Sequence, residues 1–165
     1  MAARLYDLSS TWTIPNSREE VWEVIADPAM SWQPWWPGCS RGKPNVETTP
    51  PGPDPRERLL ATTATLNFKA ALGYTLSVAC HPTLVERPDR IAFDATGDLA
   101  GQGRVSLSSL ADGSTRLDIE WRVRPTPRWM RLLDPVAGPV FKHAHDGLMR
   151  RGEEGLRAYL AQPRS

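Results

Sequence analysis

The chain has little of what holds metals or covalent staples: its 165 residues include 2 cysteines and 3 histidines. Cys39 and Cys80, with His81, His143 and His145, are too few and too badly spaced to converge as four tetrahedral ligands, so neither a metal nor another cofactor is expected. With no export signal in sight, both cysteines are expected as reduced thiols. Charge of one sign is missing too, since Lys+Arg 20 meet Asp+Glu 19 for a formal net charge of +1. That balance argues against a strongly basic nucleic-acid-binding domain, where clustered positive charge supplies most of the affinity, and no nucleic-acid partner is expected. No run approaches the roughly 20 apolar residues that cross a bilayer, and Met1–Asp7 lacks the apolar core of a signal peptide. The expectation is a cytoplasmic protein with no membrane span.

What is present is ordinary globular chemistry, 40% hydrophobic and 24% charged. A chain of this length reads as one domain, residues 1–165, able to bury roughly 70% of the surface its unfolded form exposes. Tyr6, Leu8, Trp12 and Ile14 alternate with Asp7, Ser9, Thr11 and Thr13, the period of a strand. Asn16 or Ser17 can then cap a helix over Arg18–Ala26, with Val21, Trp22 and Ile25 on one face and Glu19 and Glu20 in its first turn. Pro28–Gln33 is expected as a second short helix, and Ser40–Thr49 as a strand weakened by Gly42 and Pro44. Pro50–Pro55 reads as a proline-stiffened loop.

From Arg56 to Arg124 strand follows strand. Leu60, Thr62, Ala64, Leu66 and Phe68 alternate with more polar neighbours, as do Leu72, Tyr74, Leu76, Val78 and Cys80. Ile91, Phe93, Ala95, Gly97 and Leu99 form another set, after which Gly101-Gln102-Gly103 is expected to turn. Val105 and Leu107 precede a hairpin at Ala111–Ser114, and Leu117, Ile119, Trp121 and Val123 alternate with Asp118, Glu120, Arg122 and Arg124. Each apolar strand face must be covered. The cover is a C-terminal helix beginning near Val136 or Val140, after interruptions at Asp134-Pro135 and Gly138-Pro139. At 100° per residue Phe141, Ala144, His145, Leu148, Gly152, Gly155, Leu156 and Tyr159 share one face, and His143 points elsewhere. The order strand, two helices, about six strands, long helix makes an α+β chain whose bent sheet wraps the last helix.

Four segments in that order carry a resemblance: Ser17-Arg18-Glu19-Glu20-Val21-Trp22-Glu23-Val24-Ile25-Ala26-Asp27-Pro28; Trp32 with Trp35-Trp36-Pro37-Gly38; Ala95–Gly101; and Phe141–Leu156. They resemble the SRPBCC superfamily, also called START-like or helix-grip, and in particular its bacterial polyketide cyclase/dehydrase and lipid-transport branch. The resemblance covers nearly the whole chain. It implies a seven-stranded antiparallel sheet gripping the long helix, with an apolar cavity between them that takes hydrophobic small molecules. It implies no single chemistry, because relatives include cyclases, hydratase-like enzymes, lipid carriers, receptors and binding modules.

His145, central on the apolar helix face, is the foremost titratable candidate, either an acid/base near neutral pH or a core histidine satisfied by the sheet. Tyr74 is its candidate partner, orienting a ligand carbonyl or bonding to backbone. The expected ligand-contacting set is Trp35, Trp36, Thr62, Leu66, Leu76, Phe93, Trp121, Trp129, Phe141, Leu148, Met149 and Gly152. Trp12, Trp22 and Trp121 are expected to build core, whereas Trp32, Trp35 and Trp36 are expected at the cavity rim, with Trp129 and Met130 near the mouth. Cys80 is expected to pack rather than react. Three functions follow: a carrier or sensor of a lipid, acyl or polycyclic molecule; a cofactor-free cyclase/dehydratase using His145; or an interaction module marked by an exposed apolar patch around Trp32–Trp36. The oligomeric expectation is a monomer or homodimer.

Overall fold

In the computed structural model, which describes residues 4–47, 52–69 and 73–163, the alternating segments become seven strands of one sheet. These are β1 (Tyr6–Ile14), β2 (Cys39–Glu47), β3 (Thr62–Lys69), β4 (Thr75–Glu86), β5 (Arg90–Gly97), β6 (Leu99–Ser109) and β7 (Thr115–Pro125). They lie in the order β1-β7-β6-β5-β4-β3-β2, and every neighbouring pair is antiparallel. The first strand therefore meets the last, with Tyr6 opposite Val123 and Trp12 opposite Leu117, so the apolar sets from both ends of the chain share one face. Four helices complete the α+β fold: α1 (Arg18–Ile25), α2 (Pro55–Ala61), α3 (Arg128–Leu132) and α4 (Asp134–Ala161). Helix α1 starts at Ser17, whose hydroxyl accepts from the Glu20 amide while the Glu20 carboxylate accepts from the Ser17 amide, a reciprocal cap.

The second helix stands after β2 rather than before it. No helix forms over Pro28–Gln33, because the Asp27 carboxylate accepts from the amides of Ala29 at 3.1 Å and Ser31 at 3.3 Å, and Met30 takes a φ of 51°. Such a side-chain-closed turn competes directly with helical bonding. Helix α2 instead occupies the start of the presumed strand region. Asp54 caps it through the Arg56 amide at 2.9 Å, Pro55 fills the first position where no amide is needed, and Leu60 belongs to it rather than to β3. Thr48, Thr49, Pro50, Pro51 and Leu72 lie outside the described residues.

Two glycine assignments change as well. Gly101 and Gly103 do not turn the chain; they sit inside β6 opposite Ala95 and Phe93, and the turn falls at Gly97-Asp98. A Cβ at Gly103 would stand 2.4 Å from the Phe93 ring, so the missing side chain is what lets that ring lie across β6. At the other interruption, α4 runs unbroken from Asp134. Pro135 falls in its first turn and Pro139 forfeits only a bond back to that turn, so neither proline ends the helix. Its buried face contains Phe141, Ala144, Met149, Leu156 and Leu160, while Tyr159 is 36% exposed and leaves the core to Leu160.

Candidate functional site

Between the sheet and the N-terminal half of α4 lies a cavity of about 60 Å³. The strands contribute Leu8, Phe68, Leu76, Val78, Trp121 and Val123, and α4 contributes Phe141, Ala144, Leu148 and Met149. Tyr74 and His145 are the two titratable side chains in this otherwise apolar lining. They come from opposite walls, Tyr74 just ahead of β4 and His145 from α4, so the pair identified by alternation and helical phase does converge on one space.

His145 is the electrostatic anomaly of the site. Its side chain is 11% exposed, and neither ring nitrogen has a hydrogen-bond partner among the described residues. Asp146 Oδ1 stands 3.8 Å from Nδ1, too far for a hydrogen bond. Burial pushes the His145 pKa below the ordinary histidine value, with the Asp146 charge opposing it. The imidazole is therefore neutral at pH 7, with one nitrogen able to donate and the other to accept. Burial also raises the Tyr74 phenol, which stays protonated and able to donate. Its ring meets that of Trp129 edge to face, centroids 5.3 Å apart, where Trp129 is half-exposed.

Of the three tryptophans expected at the rim, Trp35 and Trp36 are instead interior and Trp32 is half-buried against them. Trp35 and Trp36 are buried, stacked at 5.4 Å, and Trp12 packs edge-on against both. Trp36 Nε1 donates to the Leu148 carbonyl at 3.2 Å, which fixes the ring as a cavity wall rather than a gate. Gly152 touches no cavity space, because the rings of Trp12 and Trp36 occupy the position a Cβ would take, each 2.7 Å from it. Trp35 and Phe93 border a second void of about 40 Å³, which shares Trp36 and Trp121 with the first. Thr62 is turned away, its hydroxyl donating to the Arg58 carbonyl at 2.7 Å, and Leu66 is wholly within packed core. Of the expected contacts, Trp36, Leu76, Trp121, Phe141, Leu148 and Met149 line the cavity, and Trp129 stands behind Tyr74.

Leu8, Phe68, Val78, Leu99, Val123 and Ala144 line it without having been singled out. Their inward phase was readable; which inward residues border empty space is decided by the neighbours' shapes. Among the described residues no large apolar side chain from Trp32 to Trp36 is exposed, so the patch that would have marked an interaction module there is missing. Neither cysteine is a nucleophile, since burial pushes Cys39 up to about 11 and Cys80 up to about 12.

A sheet closed over a long helix is shared with known proteins. The chain is similar to a START superfamily protein from Mycobacterium smegmatis, with 18% identity over 93% of this chain and 96% of that one and a TM-score of 0.64. It is similar too to the Zhui aromatase/cyclase from Streptomyces sp. R1128, with 14% identity over 95% of this chain and 94% of that one and a TM-score of 0.67. At such identities these likenesses speak for the fold alone. No curated protein matches the chain. The profile of the family described as polyketide cyclase / dehydrase and lipid transport matches residues 7–161, almost the whole length. The chain belongs to the polyketide cyclase / dehydrase and lipid transport family.

Proposed function

We propose that the protein binds an apolar small molecule between the sheet and α4, as a carrier or sensor, with one polar group of the guest held against His145. The observation that carries this reading is the pair of unpartnered nitrogens on a buried imidazole in an apolar cavity. Leaving such atoms unpaired costs free energy, and a guest that pairs with them recovers it. A neutral imidazole with no Arg or Lys beside it in the lining suits a hydroxyl better than a carboxylate, because a desolvated carboxylate needs a compensating cation. A guest larger than a few water-sized groups requires the walls to move, since about 60 Å³ by this measure holds only about four to six waters. Met149, with its flexible thioether, and Tyr74 and Trp129 at the outer end are the side chains placed to yield.

The same convergence supports a second reading, a cyclase/dehydratase in which neutral His145 takes a proton and the Tyr74 phenol donates to a carbonyl or developing oxyanion. Native mass spectrometry and organic extraction of the purified protein identify a retained guest, and titration separates the readings. Wild-type protein is expected to bind 1-naphthol about tenfold more tightly than 1-methylnaphthalene, and His145→Leu is expected to erase the preference. Equal binding of the two probes by wild type removes His145 from recognition. Failure of Leu148→Trp to displace either probe moves the site elsewhere. If an extracted guest proves to be a polyketone, its turnover should fall in both His145→Gln and Tyr74→Phe; unchanged turnover in either variant defeats the enzymatic reading.

A further inference from the structure

We infer that α3 and the first turns of α4 form a surface that docks onto an anionic phospholipid bilayer. Nine large apolar side chains are exposed among the described residues, and five of them fall between positions 129 and 140: Trp129, Leu132, Leu133, Val136 and Val140. The other four are Leu5, Val46, Leu110 and Tyr159, far apart in the chain. Leu132 is 81% exposed and Val136 71%, the largest values in this set. Isolated apolar side chains on a surface need no explanation, whereas a contiguous cluster marks contact with something apolar.

Charge narrows the occupant. Arg128 and Leu132, four residues apart on α3, share the outward side opposite buried Met130. Arg131 and Lys142 are also exposed, and the Arg4 guanidinium sits against Gly138 on α4, its Nη1 2.9 Å from where a Cβ would be. Asp134 is the one acidic residue between positions 126 and 145. Aliphatic side chains and a tryptophan edged by arginines form the pattern of segments that lie in a membrane interface, and cations draw them to negative headgroups. A second copy on this face would set arginine against arginine.

Position completes the case. The inner side of α3 presents Met130 to the apolar group formed with Tyr6, Leu8, Leu76 and Phe141, and half-exposed Trp129 meets Tyr74 of the cavity lining. One short helix thus has the cavity wall behind it and the apolar patch in front. No helix of the described residues is long and apolar enough to cross a membrane, which matches a protein that rests on a bilayer without spanning it.

Cosedimentation tests this with vesicles of phosphatidylcholine alone and of phosphatidylcholine with phosphatidylglycerol. Wild-type protein is expected to sediment with the anionic vesicles and to be released by high salt. Leu132→Asp with Val136→Asp is expected to weaken binding at least about tenfold. Each of Arg128→Gln and Arg131→Gln should weaken it about fivefold on the anionic vesicles, with no effect on the neutral ones. All four positions are exposed, and circular dichroism confirms that the variants remain folded. No sedimentation of wild type, or equal sedimentation of the aspartate variant, overturns the inference. So does a shift of oligomeric state in that variant with vesicle binding intact, which would make the patch a self-interface. The naphthol titration keeps this distinct from the cavity proposal, because docking survives Leu148→Trp and soluble-probe binding survives Leu132→Asp.

Discussion

The two halves of α4 solve the same problem, covering an apolar sheet, in opposite ways. From Leu148 onward the helix is pinned: Trp36 bonds to the Leu148 carbonyl, Arg151 to the Lys69 carbonyl at 3.0 Å, Arg157 to the Thr13 carbonyl at 2.7 Å, and Asn16 to the Leu160 carbonyl at 3.5 Å. Two glycines on this half let indoles and backbone come close. Before Leu148 the helix meets the sheet through apolar contact, Phe141 on the Tyr6 ring at 4.4 Å, and leaves the cavity open. Rigid docking at one end and loose apolar cover at the other is how a single helix can hold a fold together and still admit a guest. The sharpest way to break this contrast is to add one methyl group at each end. A Cβ at Gly155 would lie 1.8 Å from the Trp35 carbonyl oxygen, so Gly155→Ala should destabilise by about 3 kcal/mol in urea unfolding despite alanine's better helix propensity. At Gly147 the nearest atom is 3.8 Å away, and Gly147→Ala should stabilise by about 0.5–1 kcal/mol. Equal effects at the two sites would mean the halves are not packed differently.

A smaller effect is expected where the cavity itself carries strain. His145 is buried with both nitrogens unpaired, which costs about 1–3 kcal/mol relative to an apolar side chain of similar volume. His145→Leu should therefore raise stability by about 1–2 kcal/mol while removing the hydroxyl preference of the site. Because the folded pKa is depressed, the unfolded chain binds the extra proton first as pH falls through the ordinary histidine range. Wild-type stability should thus fall as pH drops below about 6.5, and the loss attributable to His145 should be missing from His145→Leu when the two unfolding curves are compared. A destabilised leucine variant would show that the imidazole is satisfied in solution.

Sequence patterning carried some of this and not the rest, for reasons visible in particular residues. Strand β7 was legible because Leu117, Ile119 and Val123 face the core while Arg116, Glu120, Arg122 and Arg124 face water, a contrast that nothing but a half-buried strand produces. The meeting of Tyr74 and His145 was legible because strand alternation and helical phase each fixed one of them. Trp35 and Trp36 were not, since an irregular segment has no period to read. The available signal was on the other side of the contact, in Gly152 and Gly155, three residues apart on the inward helix face. Helix α2 was hidden by the proline run before it, where Pro55 works as a helix start behind the Asp54 cap rather than as a breaker. Gly101 and Gly103 read as a turn because glycine permits both a turn and a close approach, and only the Phe93 ring across the sheet decides between them.

The mildest change should fall at the boundary between the open half and the outside. Trp129 is half-exposed and its ring touches Tyr74 of the cavity lining, so it contributes little burial yet stands between that lining and solvent. Trp129→Ala should alter stability by no more than about 0.5 kcal/mol. Its effect should appear in rates: stopped-flow mixing with 1-naphthol is expected to show faster association and dissociation with nearly unchanged affinity, because a side chain that only obstructs the path raises the barrier in both directions without favouring either end. Trp36→Phe makes the matching control, since Trp36 is held by its bond to Leu148 within the wall and should change affinity rather than rate alone. If Trp129→Ala leaves both rate constants untouched, the guest enters elsewhere, and the loose half of α4 yields at a point other than its junction with α3.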